Sequence, residues 1–260
     1  MLIYFDECYD SGHIYLILGA LLNPKSKALH KSLLKIKKEK RFIDREGNLK
    51  EIKYRDCYCK KNYDVSKEAI NAFLKSKSWF CAIVIKTDPD YFSLDYFGRP
   101  DEPEEIKKAR AYKKFAELLI AKNARNLFNA ILLTDRLTRC SKDRFVELMK
   151  DLFSSPGMNY CKDKDQPILR HIAEVPSHLE QFQVLQICDL LTGCILNNLI
   201  PAKNKYKNMI SKFLIRKLQV GNLLEETWET REAVRHISRK FRIWYWRPSK
   251  KRLRFPSHQR

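Results

Sequence analysis

Two aspartates stand directly after short apolar runs that are typical of buried β-strands. Asp6 follows residues 2–5, and Asp135 follows residues 129–134. If these strands are parallel neighbours, both carboxylates emerge at the same edge of the sheet, where the ligand sites of open α/β sheets gather. A single Asp after a strand is more often a turn former or a helix cap, but two such positions favour a shared site.

A third aspartate, Asp189, lies in a strongly apolar segment that is predicted to be helical over residues 181–199. The few polar or small residues of this segment recur every three or four positions and therefore form one stripe: Gln186, Asp189, Gly193 and Asn197. A carboxylate in such a helix is costly to bury unless it is paired, bound to a metal or hydrogen-bonded by a buried neighbour. Glu51 is a weaker candidate, because charged turns like its Glu-Ile-Lys segment are common.

The elements that must position these residues alternate between strands and helices. Strands are predicted over residues 2–5, 13–22, 79–87, 129–134 and 168–175, the last as an edge strand. Helices are predicted over residues 24–37, 65–74, 103–123, 141–153 and 181–199, and residues 50–54 form either a short strand or a helix start. This order predicts an α/β domain whose mixed sheet opens with a β-hairpin and is flanked by helices.

No long polar linker divides the chain. We predict one α/β domain over residues 1–200 and a basic helical extension with a tail over residues 201–260.

Four short motifs resemble the domain-of-unknown-function-3800 family, which is similar to ribonuclease H in fold. They are MLIYFDE, EIKY, ILLTDR and LQICDLLTG, and the matching carboxylates are Asp6, Glu51, Asp135 and Asp189. The resemblance covers roughly residues 1–200, and the last motif is the most specific. The chain departs from the family pattern at Cys8 and Tyr9, where the family has Ser and Gly, and at Cys188, where it has Ala.

The resemblance implies a nuclease that hydrolyses phosphodiester bonds of RNA, DNA or a hybrid with two Mg²⁺ or Mn²⁺ ions. Asp and Glu supply the hard oxygen ligands that these ions prefer. By resemblance Asp6 bridges both ions, Glu51 and Asp135 complete one site, and Asp189 holds the second. The supporting residues implied around them are Glu7, Lys53, Arg136 and Gln186.

The charge of the chain indicates a polyanionic partner. Lys and Arg number 51 against 31 Asp and Glu, which gives a net charge of +20. Residues 239–260 carry nine Lys or Arg, no acid and an interleaved Trp-Tyr-Trp run. The predicted nucleic-acid-binding residues are Arg239, Arg242, Trp244, Trp246, Arg247, Lys250, Lys251, Arg252 and Arg254. An alternative places the aromatic run in a strand that closes the core, and the last dozen residues are predicted to be disordered until a polyanion binds.

Several other classes of protein are disfavoured. The start has no basic region before its short apolar run, and residues 187–200 are too short and polar to span a membrane, so we expect a cytoplasmic protein with no membrane partner. The eight cysteines then read as reduced thiols.

Three alternatives to the nuclease centre stay open at this stage. Cys57 and Cys59 form a Cys-x-Cys pair that lacks a matching second pair, so a zinc site with His171 and His178 is a minor alternative. A restriction-type centre of Asp44, Glu51 and Lys53 requires a strand at Glu51 and leaves Asp189 unexplained. A catalytically inactive nucleic-acid-binding protein of the same fold is the non-enzymatic alternative.

Overall fold

A computed structural model describes residues 1–24, 26–88, 92–124, 127–135, 144–154, 167–224 and 240–247. Its sheet has six strands in the order β5-β4-β1-β2-β3-β6. The strands are β1 (Leu2–Tyr9), β2 (Tyr15–Asn23), β3 (Trp79–Lys86), β4 (Ala130–Asp135), β5 (Leu169–Val175) and β6 (Phe241–Tyr245). The helices are α1 (Ser26–Glu39), α2 (Lys60–Lys75), α3 (Glu104–Ala124), α4 (Phe145–Ser154), α5 (Leu185–Leu199) and α6 (Lys205–Leu218).

The sheet is mixed, as predicted. β1 and β2 form an antiparallel hairpin, and β3 pairs antiparallel with β2. β4 runs parallel to β1, β5 runs parallel to β4, and β6 runs parallel to β3. β5 lies at one edge of the sheet, as its sequence indicated, and β6 lies at the other.

Helices cover both faces of the sheet, which explains why its central strands are apolar on both sides. One core lies between the sheet and α1, α2, α5 and α6, and the other lies between the sheet and α3 and α4. Successive residues of β1 alternate between these cores, because strand side chains point to opposite faces. Tyr4 packs in the first core, whereas Ile3 and Phe5 pack in the second.

The first strand is longer than predicted. β1 continues past Phe5 to Tyr9, because the hairpin register with β2 runs unbroken from Leu2 to Tyr9. Asp6 therefore lies inside a strand and not after its end. The turn follows at Asp10, whose side chain accepts hydrogen bonds from the backbone N–H groups of Gly12 (2.8 Å) and Tyr15 (2.7 Å).

The chain after residue 200 is not only helical. α6 forms there, but Phe241–Tyr245 add β6 to the sheet, so this segment is not part of a helical extension and follows the strand alternative. Pairing with β3 satisfies the backbone groups of β6, and this pairing partner lies more than 150 residues earlier in the chain. The boundary at residue 200 stays a prediction. No helix within the described ranges is long and apolar enough to cross a membrane.

Candidate active site

The pairing of the parallel strands β1 and β4 brings the first two carboxylates together. β1 and β4 pair in parallel up to Phe5 and Thr134, and Asp6 and Asp135 are the next residue of each strand. The two strands are therefore parallel neighbours, which is the arrangement that a shared site of Asp6 and Asp135 requires. Both residues lie where β4 ends. β5 ends beside them, with Asp135 opposite Val175.

Ser177, two residues beyond β5, joins Asp135 to Glu51. Its backbone N–H donates to Asp135 Oδ1 (3.2 Å), and its Oγ lies 2.8 Å from both Asp135 Oδ2 and Glu51 Oε1. A hydroxyl carries one hydrogen, so it cannot donate fully to two ionised carboxylates at once. Glu51 and Asp135 therefore share the single hydroxyl hydrogen of the buried Ser177. Nothing in the sequence pattern singled out Ser177 except its place after an edge strand.

Lys53 is the cation of this cluster. Its Nζ lies 2.9 Å from Glu51 Oε2, and both side chains are about one fifth exposed. Burial opposes the charged form of Lys53, but the hydrogen bond to Glu51 and the charges of Glu51 and Asp135 raise its pKa overall. The ammonium group of Lys53, a supporting residue implied by the resemblance, therefore lies against Glu51.

The polar stripe of α5 holds the segment that carries Glu51. Gln186 Oε1 accepts hydrogen bonds from the Ile52 N–H (2.9 Å) and from Lys37 Nζ (2.7 Å). Gln186 Nε2 donates to the Ser177 carbonyl (2.6 Å). One buried amide therefore fixes the backbones on both sides of the carboxylate cluster, which gives Gln186 a structural place in the site.

Asp189 also binds this segment. Its Oδ2 accepts a hydrogen bond from the Tyr54 N–H (2.6 Å). A hydrogen bond from a buried neighbour is one of the three explanations that the sequence left open for this carboxylate. Gly193, one turn further along α5, lets the Tyr54 ring lie against the helix. A Cβ at Gly193 would lie 2.1 Å from Tyr54 Cγ. The spacing of Gln186, Asp189 and Gly193 thus has a common cause, since all three receive the segment 52–54.

Burial, together with neighbouring acids, raises the pKa of two of the four carboxyl groups, those of Asp6 and Asp189. Asp6 is 6% exposed, and its pKa lies well above the usual range because of burial and the nearby charges of Asp189, Glu7 and Asp135. Burial raises the pKa of Asp189 to about 6, although the Tyr54 N–H and the charge of Lys53 oppose this shift. Such a group of repelling acids is relieved by a cation or by protons.

The chemistry of the donor set fits a divalent cation, but its present hydrogen bonds do not leave it open. All four predicted ligands offer hard oxygen atoms, and Glu51, Asp135 and Asp189 are partly exposed. Nevertheless, no group of three or more His, Cys, Asp or Glu among the described residues has the arrangement of a metal site. A cation between Glu51 and Asp135 would have to displace Lys53 and Ser177 from their oxygens.

The other predicted site residues lie at varying distances from this cluster. Glu7 is the neighbour of Asp6 in β1 and accepts a hydrogen bond from the Tyr112 hydroxyl. The remaining residues of the prediction that fall outside the described ranges are Arg136, Arg239, Lys250, Lys251, Arg252 and Arg254.

The aromatic residues of the predicted binding tail belong to the opposite part of the sheet. Trp244 lies in β6, at the edge away from β4 and β5, and packs on the core beneath α3 and α4. Lys122 Nζ lies 4.1 Å from its ring. Trp246 packs edge-on against Phe115, with the ring centroids 5.1 Å apart. These contacts agree with the strand alternative for the aromatic run.

The two basic residues beside them, Arg242 and Arg247, lie in or just after β6, and Arg247 is exposed. Binding of nucleic acid by this group stays a prediction, and the structure does not bring it to the carboxylates.

The rival sites gain no support from the geometry. Glu51 and Lys53 lie in an irregular segment and not on a strand, and a 3₁₀ turn follows at Tyr54–Asp56. Asp44 is exposed and accepts hydrogen bonds from backbone N–H groups of its own turn. Cys57 is fully buried with its Sγ 3.9 Å from the Tyr206 carbonyl, so it packs as a small apolar side chain.

Comparison with family models, with curated proteins and with solved structures finds no match to this chain. The resemblance described above therefore depends on the motif residues themselves.

Proposed function

We propose that the protein is a metal-dependent nuclease whose site consists of Asp6, Glu51, Asp135 and Asp189. The observation that carries this proposal is the convergence of acids from four separate parts of the chain at one end of parallel strands. Ser177 joins two of them, and the charges of Asp189 and Asp135 act on the buried Asp6. Gathering like charges is costly, so a fold that does so is expected to use them.

The residues of the site have separable roles in this proposal. Two divalent cations held by such a set supply an activated water and offset the charge that develops on the phosphate and the leaving oxygen. Asp6 contributes a carboxylate whose position is fixed by its strand, and Asp189 contributes one that is fixed by the Tyr54 N–H. Gln186 holds the Glu51 segment against α5. Lys53 pairs with Glu51, and in this proposal it leaves Glu51 and binds a phosphate oxygen of the substrate.

One observation favours the alternative of a catalytically inactive protein that binds nucleic acid. Lys53 and Ser177 already satisfy oxygens of Glu51 and Asp135, so part of the cluster is stable without a metal. In this alternative the carboxylates hold the segment 51–54 in place and have no catalytic part.

A cleavage assay separates the two. Purified protein is incubated with labelled RNA, DNA and hybrid in the presence of Mn²⁺, Mg²⁺ or a chelator. We expect cleavage that requires the cation and that Asp6→Asn abolishes, with nucleic-acid binding retained or strengthened. Asn keeps the size of the side chain and removes the charge that holds a cation and repels the phosphate.

The matched control is Asp101→Asn, which removes an exposed carboxylate outside the cluster and should leave cleavage unchanged. Absence of cation-dependent cleavage on every substrate, or equal cleavage by Asp6→Asn, would favour the inactive binding protein or a contaminant.

A further inference from the structure

Three cations on α6 form a single exposed line. Lys205, Lys212 and Arg216 are exposed and are spaced by seven and four residues. At 3.6 residues per turn they lie within about 40° of one another, over a length of about 16 Å. The opposite face of α6 is buried, with Ile210 and Leu214 in the core. We call these three residues the α6 stripe.

The α6 stripe has no acidic counterpart in the described parts of the chain. None of its three members forms an ion pair there, whereas Lys53, Lys107 and Lys114 do. Residues 190–224 contain six Lys or Arg and no Asp or Glu. Lys205 Nζ lies 5.1 Å from the centroid of the Tyr206 ring, so Lys212 and Arg216 are the members whose charge is left for a ligand or for solvent.

The position of the cations in the helix argues against a purely local role. Cations stabilise the last turn of a helix through its dipole, which would explain Arg216, but they are unfavourable in the first turn. α6 nevertheless begins with Lys205 and has no acid in its first turn. Asn204 caps this end by accepting hydrogen bonds from the N–H groups of Tyr206 (2.9 Å) and Lys207 (3.3 Å).

The first turn of α6 is joined to the candidate active site. Lys207 Nζ lies 5.4 Å from the centroid of the Tyr54 ring, and the Tyr54 N–H binds Asp189. Asn204 Nδ2 donates to the Tyr58 carbonyl (3.2 Å). Tyr58 itself is 56% exposed, so its aromatic ring is accessible in a residue whose backbone is bound to the N-cap of α6.

We propose that the α6 stripe and Tyr58 bind a single nucleic-acid strand that leads to the carboxylate cluster. Lys205, Lys212 and Arg216 neutralise successive backbone phosphates, and the exposed ring of Tyr58 stacks on a base, as in binding sites for single strands. The proposal rests on the proposed function for the identity of the ligand, and it replaces the C-terminal tail as the principal binding surface.

The test measures binding without turnover. The full chain is titrated against labelled oligothymidylate and oligouridylate of about 20 nucleotides, and against a duplex of that length, in chelator and at several salt concentrations. The variant Lys205→Gln, Lys212→Gln, Arg216→Gln is compared with Lys27→Gln, Lys31→Gln, Lys38→Gln. The second set removes the same charge from a line of exposed lysines on α1.

We expect the stripe variant to flatten the slope of log affinity against log salt by about 2, or 0.7 for each lost contact, and to lose about a hundredfold in affinity at 0.1 M salt. The α1 variant should keep nearly the wild-type slope. Equal slopes for the two variants would overturn the proposal, because the effect would then be one of net charge.

Tyr58→Ala tests the stacking part separately. It should weaken single-strand binding by at least about fivefold with no change of slope, and it should leave duplex binding unchanged. An equal effect on both forms, or none on either, would overturn the assignment to a single strand.

The two proposals fail in different ways. If the stripe variant has the same salt slope as the α1 variant while cation-dependent cleavage is intact, only the proposed binding surface on α6 is rejected. If the stripe variant shows the expected flatter slope but no substrate is cleaved, the binding surface is supported and the nuclease function is rejected.

Discussion

α5 and α6 pack against each other, yet their polar residues have opposite surroundings. Gln186 of α5 is buried, and each polar atom of its amide is hydrogen-bonded to another part of the fold. The α6 stripe is exposed and has no ion pair among the described residues. A buried polar group must be hydrogen-bonded within the protein, whereas an exposed charge is solvated and can pair with a ligand. α5 therefore holds the segment that carries Glu51, and in our proposal α6 presents the charges that bind the nucleic acid.

The largest loss of stability is expected at Gly193 of α5, where the Tyr54 ring leaves no room for a side chain. Gly193→Val places branched carbon atoms where a Cβ alone would lie 2.1 Å from the Tyr54 ring. The segment 52–54 has to move, and we expect a loss of about 3 kcal/mol or more in the free energy of unfolding, measured with denaturant. Gly221→Ala is the control, since a Cβ there meets nothing within 4 Å. Similar losses for both variants would mean that Tyr54 does not depend on close approach to α5.

The next largest effect concerns the buried cation that binds Gln186. Lys37 is fully buried, and burial lowers its pKa to about 7, against the opposing charge of Glu51. The unfolded chain holds this proton up to about pH 10, so the stability tied to Lys37 is lost as the pH falls towards 7 and returns as it rises. Between pH 7.5 and pH 9.5 (pH values chosen for the test, roughly inside this window) the wild type should gain about 1.4 kcal/mol per pH unit relative to Lys37→Met. The exposed Lys38→Met should show no such trend, and a parallel response of Lys37→Met and wild type would contradict the shift.

A smaller effect is expected at the serine that joins two carboxylates. Ser177→Ala removes the hydroxyl that Glu51 and Asp135 share, and hydrogen bonds to charged groups contribute about 1.5–3 kcal/mol. Ser211→Ala removes one neutral hydrogen bond, from Ser211 Oγ to the Cys194 carbonyl between α6 and α5, and should cost about 1 kcal/mol. Chemical unfolding of the two variants gives the comparison. A cost at Ser177 no greater than at Ser211 would show that the carboxylates do not rely on this hydroxyl.

The smallest effect on stability is expected from the C-terminal tail. Deletion of residues 249–260 removes five basic side chains and should change the free energy of unfolding by less than about 0.5 kcal/mol. If the tail touches phosphates, affinity falls alike for every sequence, and the salt slope flattens by about 0.7 per lost contact on single strands and about 0.9 on duplex. A flattening larger than that of the α6 stripe variant would move the binding surface from α6 to the tail.

Local patterns were sufficient to predict the parts of the site that lie on regular elements. Apolar runs placed Asp6 and Asp135 directly after two strands, and the structure has Asp6 inside β1 and Asp135 as the last residue of β4. The period of α5 placed Asp189 and Gln186 on one face, because strand and helix periods are visible in sequence. The mixed sheet and its hairpin followed from the same patterns.

The parts that were missed depend on distant partners. Ser177 has no periodic signal and becomes a site residue only because Glu51 reaches it from another segment. Lys37 lies in a basic stretch that resembles a solvated surface, and its burial is tolerable because Gln183 and Gln186 accept hydrogen bonds from it. β6 was only an alternative for the aromatic run, because the strand depends on pairing with β3, which the run itself does not reveal.

The central claim is that the four carboxylates bind divalent cations in place of Lys53 and Ser177. The most direct test is a crystal structure of the protein grown with Mn²⁺, with an anomalous difference map that locates the metal. We predict two peaks about 3.5–4 Å apart among the oxygens of Asp6, Glu51, Asp135 and Asp189, with Lys53 moved away from Glu51. A map without peaks there, in which Lys53 still pairs with Glu51 and Ser177 still joins Glu51 to Asp135, would contradict the account.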